Sequence, residues 1–291
     1  MTDRLNSRPM LAAPELERMA RQLRRDVVEM IFNAGSGHAG GSLSAAEIVA
    51  TLYWHVLDVD PAHPEWLRRD RFIASKGHCA PVVYAALARR GYFDPGELRT
   101  LRRIDSILQG HPSMSHTPGL DMSSGSLGQG LSVGLGMALG AGQRGLASRV
   151  FVLLGDGEMQ EGLVWEAAMA AAHLRAGNLT AIVDRNGLQV DGPVSDVMNV
   201  NPVADKWRAF GWRVIEVDGH DTSALLRAFD DRFGSGDSSQ PWVLIAHTVK
   251  GKGVSFMENV MEWHGNLISR EQYEIAIREL DDRTGSEYPW Q

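Results

Sequence analysis

The chain has 291 residues, 44% hydrophobic and 22% charged, which is enough apolar material for one large core. A formal net charge of −7 argues against nucleic acid or an anionic membrane surface as a partner. A single cysteine, Cys79, excludes an internal disulfide framework and suits a reducing, cytoplasmic setting. The opening MTDRLNSRPM lacks the apolar segment of a secretory leader, and the most apolar stretch, 130–142, is too short and glycine-rich to cross a membrane.

Residues 1–13 read as a loose arm. Leu16, Met19, Leu23, Val27 and Met30 recur at helical spacing and predict an amphipathic helix over 14–32. A glycine-dense loop, Ala34 to Gly41, follows with Ser36-Gly37-His38 at its centre; glycine there permits close backbone approach to a ligand. Ser44 and Glu47 have the spacing of a capping box that opens a helix over 45–57. Residues 70–75 read as a strand running into Lys76-Gly77-His78, and 81–90 as a helix stopped by Gly91. Cys79 reads as a buried structural residue rather than a nucleophile paired with His78, because adjacent side chains rarely face each other. From 105 to 125, around Gln109-Gly110-His111-Pro112, there is little periodicity; long irregular segments inside compact domains are often functional. His116 in this segment reads as surface. A glycine-rich helix opens at Ser124 to Gly130, and Gly134, Gly136 and Gly140 suggest close packing, inside the chain or at a subunit interface.

The most informative stretch runs from Val150 to Gly192. Val150 to Leu154 is a buried strand, 163–174 an alanine-rich helix stopped by Gly177-Asn178, and Leu179 to Val183 a second buried strand. Such a unit is right-handed with parallel strands. Asp156 and Asn186 then leave the carboxyl ends of neighbouring strands side by side, where ligands of open α/β sheets bind. A carboxylate, an amide oxygen and nearby carbonyls are hard ligands that suit Mg²⁺ or Ca²⁺ and suit zinc poorly. The helix beside Gly157 offers free N–H groups to a phosphate. Asp156 alone would read as a helix cap; the matching Asn186 favours a metal that bridges the protein to a diphosphate. A dinucleotide fingerprint does not fit, since Gln160 stands at its third glycine. Farther on, 207–210 reads as helix, 212–217 as strand, Asp218 to Asp221 as a turn, 223–233 as helix, 234–240 as a polar loop and 242–246 as strand. Thr248 to Gly253 reads as a flexible basic loop, Ser269 caps a last helix over 270–280, and 281–291 is a tail. The whole is an α/β chain: a doubly wound, mainly parallel sheet with helices on both faces, and one domain over 14–280.

Gly155-Asp156-Gly157, 28 intervening residues and then Asn186 resemble the thiamine-diphosphate motif, and the flanking text resembles transketolase. The resemblance runs from about Leu16 to Leu280, the diphosphate-binding half of that family. It implies thiamine diphosphate and Mg²⁺ (or Ca²⁺) as cofactors, with Asp156, Asn186 and the Leu188 carbonyl as metal ligands. It implies that Gly125 and Gly157 approach the cofactor and that Leu127 and Val190 pack on its apolar faces. Ser36-Gly37-His38, Lys76-Gly77-His78, Gly110-His111-Pro112 and Trp263-His264-Gly265 match the family's active-site histidines: His38 and His264 as a proton-transfer pair, His78 and His111 as orienting groups. The family places a cofactor contact at His78 and His264 too, and puts Glu161 at the subunit interface near the partner's catalytic glutamate. Proline is usual where Ser126 stands, a mild departure. The pyrimidine-binding domain of the family has no counterpart in this sequence. The resemblance therefore implies a split transketolase of the pentose phosphate type, in which a separate pyrimidine-binding subunit completes a heterotetramer that acts on sugar-phosphate substrates. The readings left open are a specialised ketol transferase, a deoxyxylulose-phosphate-synthase-like or 2-oxoacid dehydrogenase component, and a non-catalytic scaffold.

Overall fold

The computed structural model describes residues 10–234 and 239–282. Most of the expected arm (1–13) and tail (281–291), and 235–238 of the expected polar loop, lie outside the described residues. In chain order, helix α1 (Ala13–Ala34), α2 (Ala39–Ser44) and α3 (Ala46–Thr51) lead to strand β1 (Arg71–Ala74) and helix α4 (Ala80–Arg90). Helix α5 (Gln129–Gln143), β2 (Val150–Gly155), α6 (Gly162–His173) and β3 (Leu179–Arg185) follow. Two short helices, α7 (Val194–Val197) and α8 (Val203–Ala209), precede β4 (Arg213–Asp218), α9 (Thr222–Gly234), β5 (Trp242–His247) and α10 (Arg270–Asp282).

The five strands form one parallel sheet in the order β1-β2-β3-β5-β4. β2 and β3 are covered on both faces, which is why they read as unbroken apolar runs rather than alternating ones. Alternate residues feed two cores. Phe151, Leu153, Ile182 and Leu244 join residues of α1, α3, α4 and α9, whereas Val152, Leu154, Val183 and Ile245 join those of α5, α6 and α8. The edge strand β4 is half-exposed and carries Arg213, Glu216 and Asp218, charges that discourage pairing with another strand. Among the described residues no helix is long and apolar enough to cross a membrane.

Several local expectations give way to tertiary contacts. The glycine-dense loop turns helical at Ala39. Ser44 and Glu47 do not form a capping box. Ser44 ends α2 and donates to Asp184 at 2.6 Å, while Glu47 is gripped by Arg24 at 2.6 and 2.5 Å. The helix expected over 45–57 is accordingly α3, ending in a wider π turn at Leu52–Val56. A short 3₁₀ turn, Gly157–Gln160, separates β2 from α6. Cys79 is buried, and desolvation pushes its thiol up to about 12, as befits a structural cysteine. His116 is exposed. In α5, Gly134 packs on Val152, whereas Gly136 and Gly140 face open space.

Candidate functional site

β2 and β3 end in register, Gly155 beside Asp184, and this brings Asp156 and Asn186 together at the carboxyl edge of the sheet. Asp156 accepts from the Gly157 N–H at 2.9 Å and, through its other oxygen, from the Gly187 N–H at 2.7 Å. Asn186 Oδ1 accepts from the Leu188 N–H at 3.1 Å. The Gly157 N–H is thus taken by its neighbour's carboxylate and is not free for a phosphate. Asp156 is buried; desolvation and the nearby Asp184 push its carboxyl up to about 6. A carboxylate so disfavoured calls for a cation. The Leu188 carbonyl, which accepts from Lys250 Nζ at 3.1 Å, keeps a second lone pair. Among the described residues no three His, Cys, Asp or Glu side chains form a metal-holding group. The set offered is one carboxylate, one amide oxygen and one carbonyl, the sparse oxygen set of a magnesium ion that shares its shell with phosphates. The residues therefore fit such a group.

Behind this edge lies a fully buried ion pair between Lys76, at the end of β1, and Asp184 of β3. Ser44 and Thr248 also donate to Asp184, and Asn186 Nδ2 lies 3.4 Å from it. Burial alone would neutralise the pair. Lys76 nevertheless holds the Asp184 carboxyl below its usual range, and Asp184 keeps the lysine charged. Lys250 is buried in the 248–253 loop that reads from sequence as flexible. Desolvation, then the charge on Lys76, lowers its pKa to about 8. Neither lysine stands out in the sequence. The only hint is that each follows the end of a buried strand by two or three residues.

These groups line a cleft of about 760 Å³ together with His78, Leu127, Gly157, Glu161, Asn186, Leu188, Val190 and His264. Leu127 and Val190 are apolar yet exposed, 36% and 58%, so they offer a ligand an apolar wall. Glu161 is exposed at the rim. The four sequence-singled histidines converge. Ring centres are 4.9 Å apart for His78 and His264, 5.4 Å for His38 and His264, 5.9 Å for His38 and His78, and 5.8 Å for His38 and His111. Gly125 lies against the His111 ring. The glycine-dense segment earns its composition here. A Cβ on Gly41 would sit 3.0 Å from the His78 ring, and one on Gly40 would sit 2.9 Å from the Lys250 side chain.

All four imidazoles are held below their ordinary pKa. Burial, Arg102 and His111 bring His38 to about 4; burial and Lys250 bring His264 to about 4. Burial and Lys76 hold His78 well below its usual value, and burial and Arg102 lower His111. Two tautomers follow from their partners. Arg102 Nη2 lies 3.3 Å from His38 Nδ1, and Lys250 Nζ 3.2 Å from His264 Nδ1. Guanidinium and ammonium groups only donate, so both Nδ1 atoms accept and both Nε2 atoms carry the proton. Arg102, in a left-handed backbone conformation and bonded to Ser36 at 2.6 Å, is a further site residue that no local pattern singles out.

The comparisons with known proteins agree with this geometry. The family model "Transketolase, thiamine diphosphate binding domain" matches residues 16–285. Curated relatives include one of the separately encoded chains of the apulose-4-phosphate transketolase of Phocaeicola vulgatus, 41% identical over 92% of this chain and 94% of its own length. A 6-deoxy-6-sulfo-D-fructose transketolase subunit of Clostridium is also 41% identical, over 92% of this chain and 96% of its own. The solved transketolase of Campylobacter jejuni superposes with a TM-score of 0.87 at 30% identity, over 93% of this chain and 43% of that one. The chain belongs to the transketolase family, in its thiamine-diphosphate-binding part. It spans about two-fifths of the solved transketolase chain and nearly all of each relative named as a transketolase subunit. The doubly wound α/β reading and the transferase class both stand.

Proposed function

We propose that this chain is the diphosphate-binding subunit of a two-chain transketolase, moving a two-carbon ketol unit from a ketose phosphate to an aldose phosphate. The observation that carries the reading is the convergence, in one cleft, of four neutral imidazoles on a strand-end set of oxygen ligands. Bound thiamine diphosphate supplies the carbon nucleophile and electron sink.

The chain's own residues divide the remaining work. Asp156, Asn186 and the Leu188 carbonyl hold Mg²⁺, with Ca²⁺ as an alternative. Gly157, Gly125, Leu127 and Val190 receive the cofactor, and His78 and Lys250 face its phosphates. His38 and His264, each with its proton on Nε2, donate to the carbonyl oxygen of the acceptor aldose as it becomes a hydroxyl and take a proton back in the reverse step. His78 and His111 orient the donor. Glu161, at the rim, meets the partner chain. The names of the two relatives, each given as one subunit of a transketolase, support a separate companion that carries the pyrimidine-binding domain, in a cytoplasmic heterotetramer. A phosphate or sulfonate at the far end of the sugar is read largely by that companion, so a specialised ketol transferase is the second reading, favoured by the two relatives' own substrates.

The test is reconstitution. Ketol transfer from a panel of ketose phosphates and sulfonates is measured with this chain, its companion, or both. Activity is expected only with both chains, thiamine diphosphate and Mg²⁺. Normal turnover by this chain alone, or none by the pair on any ketose, would overturn the proposal.

A further inference from the structure

Lys250 reaches the cleft from a short loop, and one bond in that loop connects it to a network outside the site. β5 ends at His247, three residues before Lys250. The loop backbone is tied down around the lysine: the Gly251 N–H donates to Gly40 at 3.0 Å, and the Asn259 N–H donates to the Lys250 carbonyl at 2.9 Å. The remaining tie is the Val249 N–H, which donates to His220 Nε2 at 2.8 Å. An N–H that donates to Nε2 requires a lone pair there, so the His220 proton sits on Nδ1. Nδ1 faces Glu47 Oε2 at 3.0 Å. Glu47 is held in turn by both Nη atoms of Arg24, whose Nε donates to the Leu43 carbonyl at 3.1 Å. A continuous buried strut thus runs from α1 and α3 through the β4–α9 turn to the residue before Lys250. It satisfies every polar group along it and leaves His220 one role outside the cleft that the reaction does not use.

Resting on the cofactor reading above, we propose that His220 is a positioning residue. It fixes the Val249 amide and thereby sets the Lys250 ammonium against the Leu188 carbonyl and His264, where a diphosphate is gripped. The conservative variants separate this from simple packing. In His220→Asn the amide occupies the place of Nδ1, can still donate to Glu47, and leaves the Val249 N–H without an acceptor. In His220→Gln the side-chain oxygen reaches the place of Nε2 and restores it.

Two measurements test the proposal. The first is hydrogen–deuterium exchange of the 248–252 segment in the full chain without cofactor. Exchange is expected to quicken in His220→Asn and stay as in the wild type in His220→Gln. The second is titration of thiamine diphosphate with Mg²⁺ into the chain assembled with its companion. His220→Asn is expected to weaken apparent affinity about tenfold, the cost of one backbone hydrogen bond, with kcat at saturating cofactor retained and His220→Gln close to wild type. In a Lys250→Met background His220→Asn should add nothing. Equal losses in both variants that follow their melting temperatures would overturn the proposal, as would an undiminished His220→Asn effect in the Lys250→Met background. If the wild-type assembly took up no thiamine diphosphate, the cofactor reading would fall, while the exchange experiment would still decide whether the strut exists.

Discussion

Two halves of one cleft are built in different ways. In the strand-end half, the functional atoms come from two hydrogen-bonded neighbours in the sheet, β2 and β3, and their placement follows from register. In the imidazole half, His38, His78, His111 and His264 come from four separate segments, and only packing brings them within 6 Å of one another. The first half is charged and locked by a buried ion pair; the second is kept neutral by burial and by adjacent cations. A grip for a charged diphosphate and a set of neutral proton carriers need these opposite environments. Separating them allows one chain to hold a cofactor and handle substrate protons without either function neutralising the other.

The largest expected effect lies in the imidazole half. His38→Ala and His264→Ala, assayed in the reconstituted enzyme, should each lower kcat by ~10³-fold, with cofactor affinity little changed, because each removes a proton carrier and not a phosphate contact. A parallel loss of cofactor affinity would show that the two halves are not separable.

In the strand-end half the ion pair itself can be broken. Asp184→Asn leaves the Lys76 ammonium buried without its counter-charge and should lower stability by about 3–5 kcal/mol in urea unfolding. A loss below ~1 kcal/mol would mean that water reaches the pair, since exposed ion pairs contribute no more than that.

A smaller effect comes from pH. His38 and His264 titrate near 4 in the folded chain against an ordinary value of 6.5. Between those values the unfolded chain takes up protons that the folded chain refuses. Stability is therefore complete above pH 6.5 and declines as the pH falls toward 4. Melting temperature followed from pH 7.5 to 5 should fall, and the slope should be shallower in His38→Gln. An equal slope in that variant would assign the effect to other groups.

The same contrast decides how much is legible in the sequence. The strand-end half is written locally, as two apolar runs and two polar residues at matching ends, so Asp156 and Asn186 can be paired by register alone. The histidines are individually ordinary loop residues and are reached through the resemblance carried by their glycine-flanked motifs. What escapes both routes is long-range. Lys76 and Asp184 are 108 residues apart, and Glu47 finds its partners 23 and 173 residues away. Those contacts are also why a short-range pattern misleads at Ser44 and Glu47. A capping box presumes that the two side chains serve their own helix, and here each is claimed by a charged or polar group from another element. Lys250 is hidden for a related reason: a glycine-flanked lysine loop resembles a solvated turn until the glycines are seen to admit neighbouring groups.

The most direct test of the division is metal-dependent cofactor binding in the assembled enzyme, compared across one variant from each half. Thiamine diphosphate is titrated calorimetrically with and without Mg²⁺ into wild type, Asp156→Asn and His38→Ala. The expected result is that Asp156→Asn loses the Mg²⁺-dependent part of the affinity, about 100-fold or more for a contact of several kcal/mol. His38→Ala should bind as the wild type does. Unchanged Mg²⁺-dependent binding in Asp156→Asn, or its loss in His38→Ala, would contradict the assignment of the cofactor grip to the strand ends and of proton handling to the imidazoles.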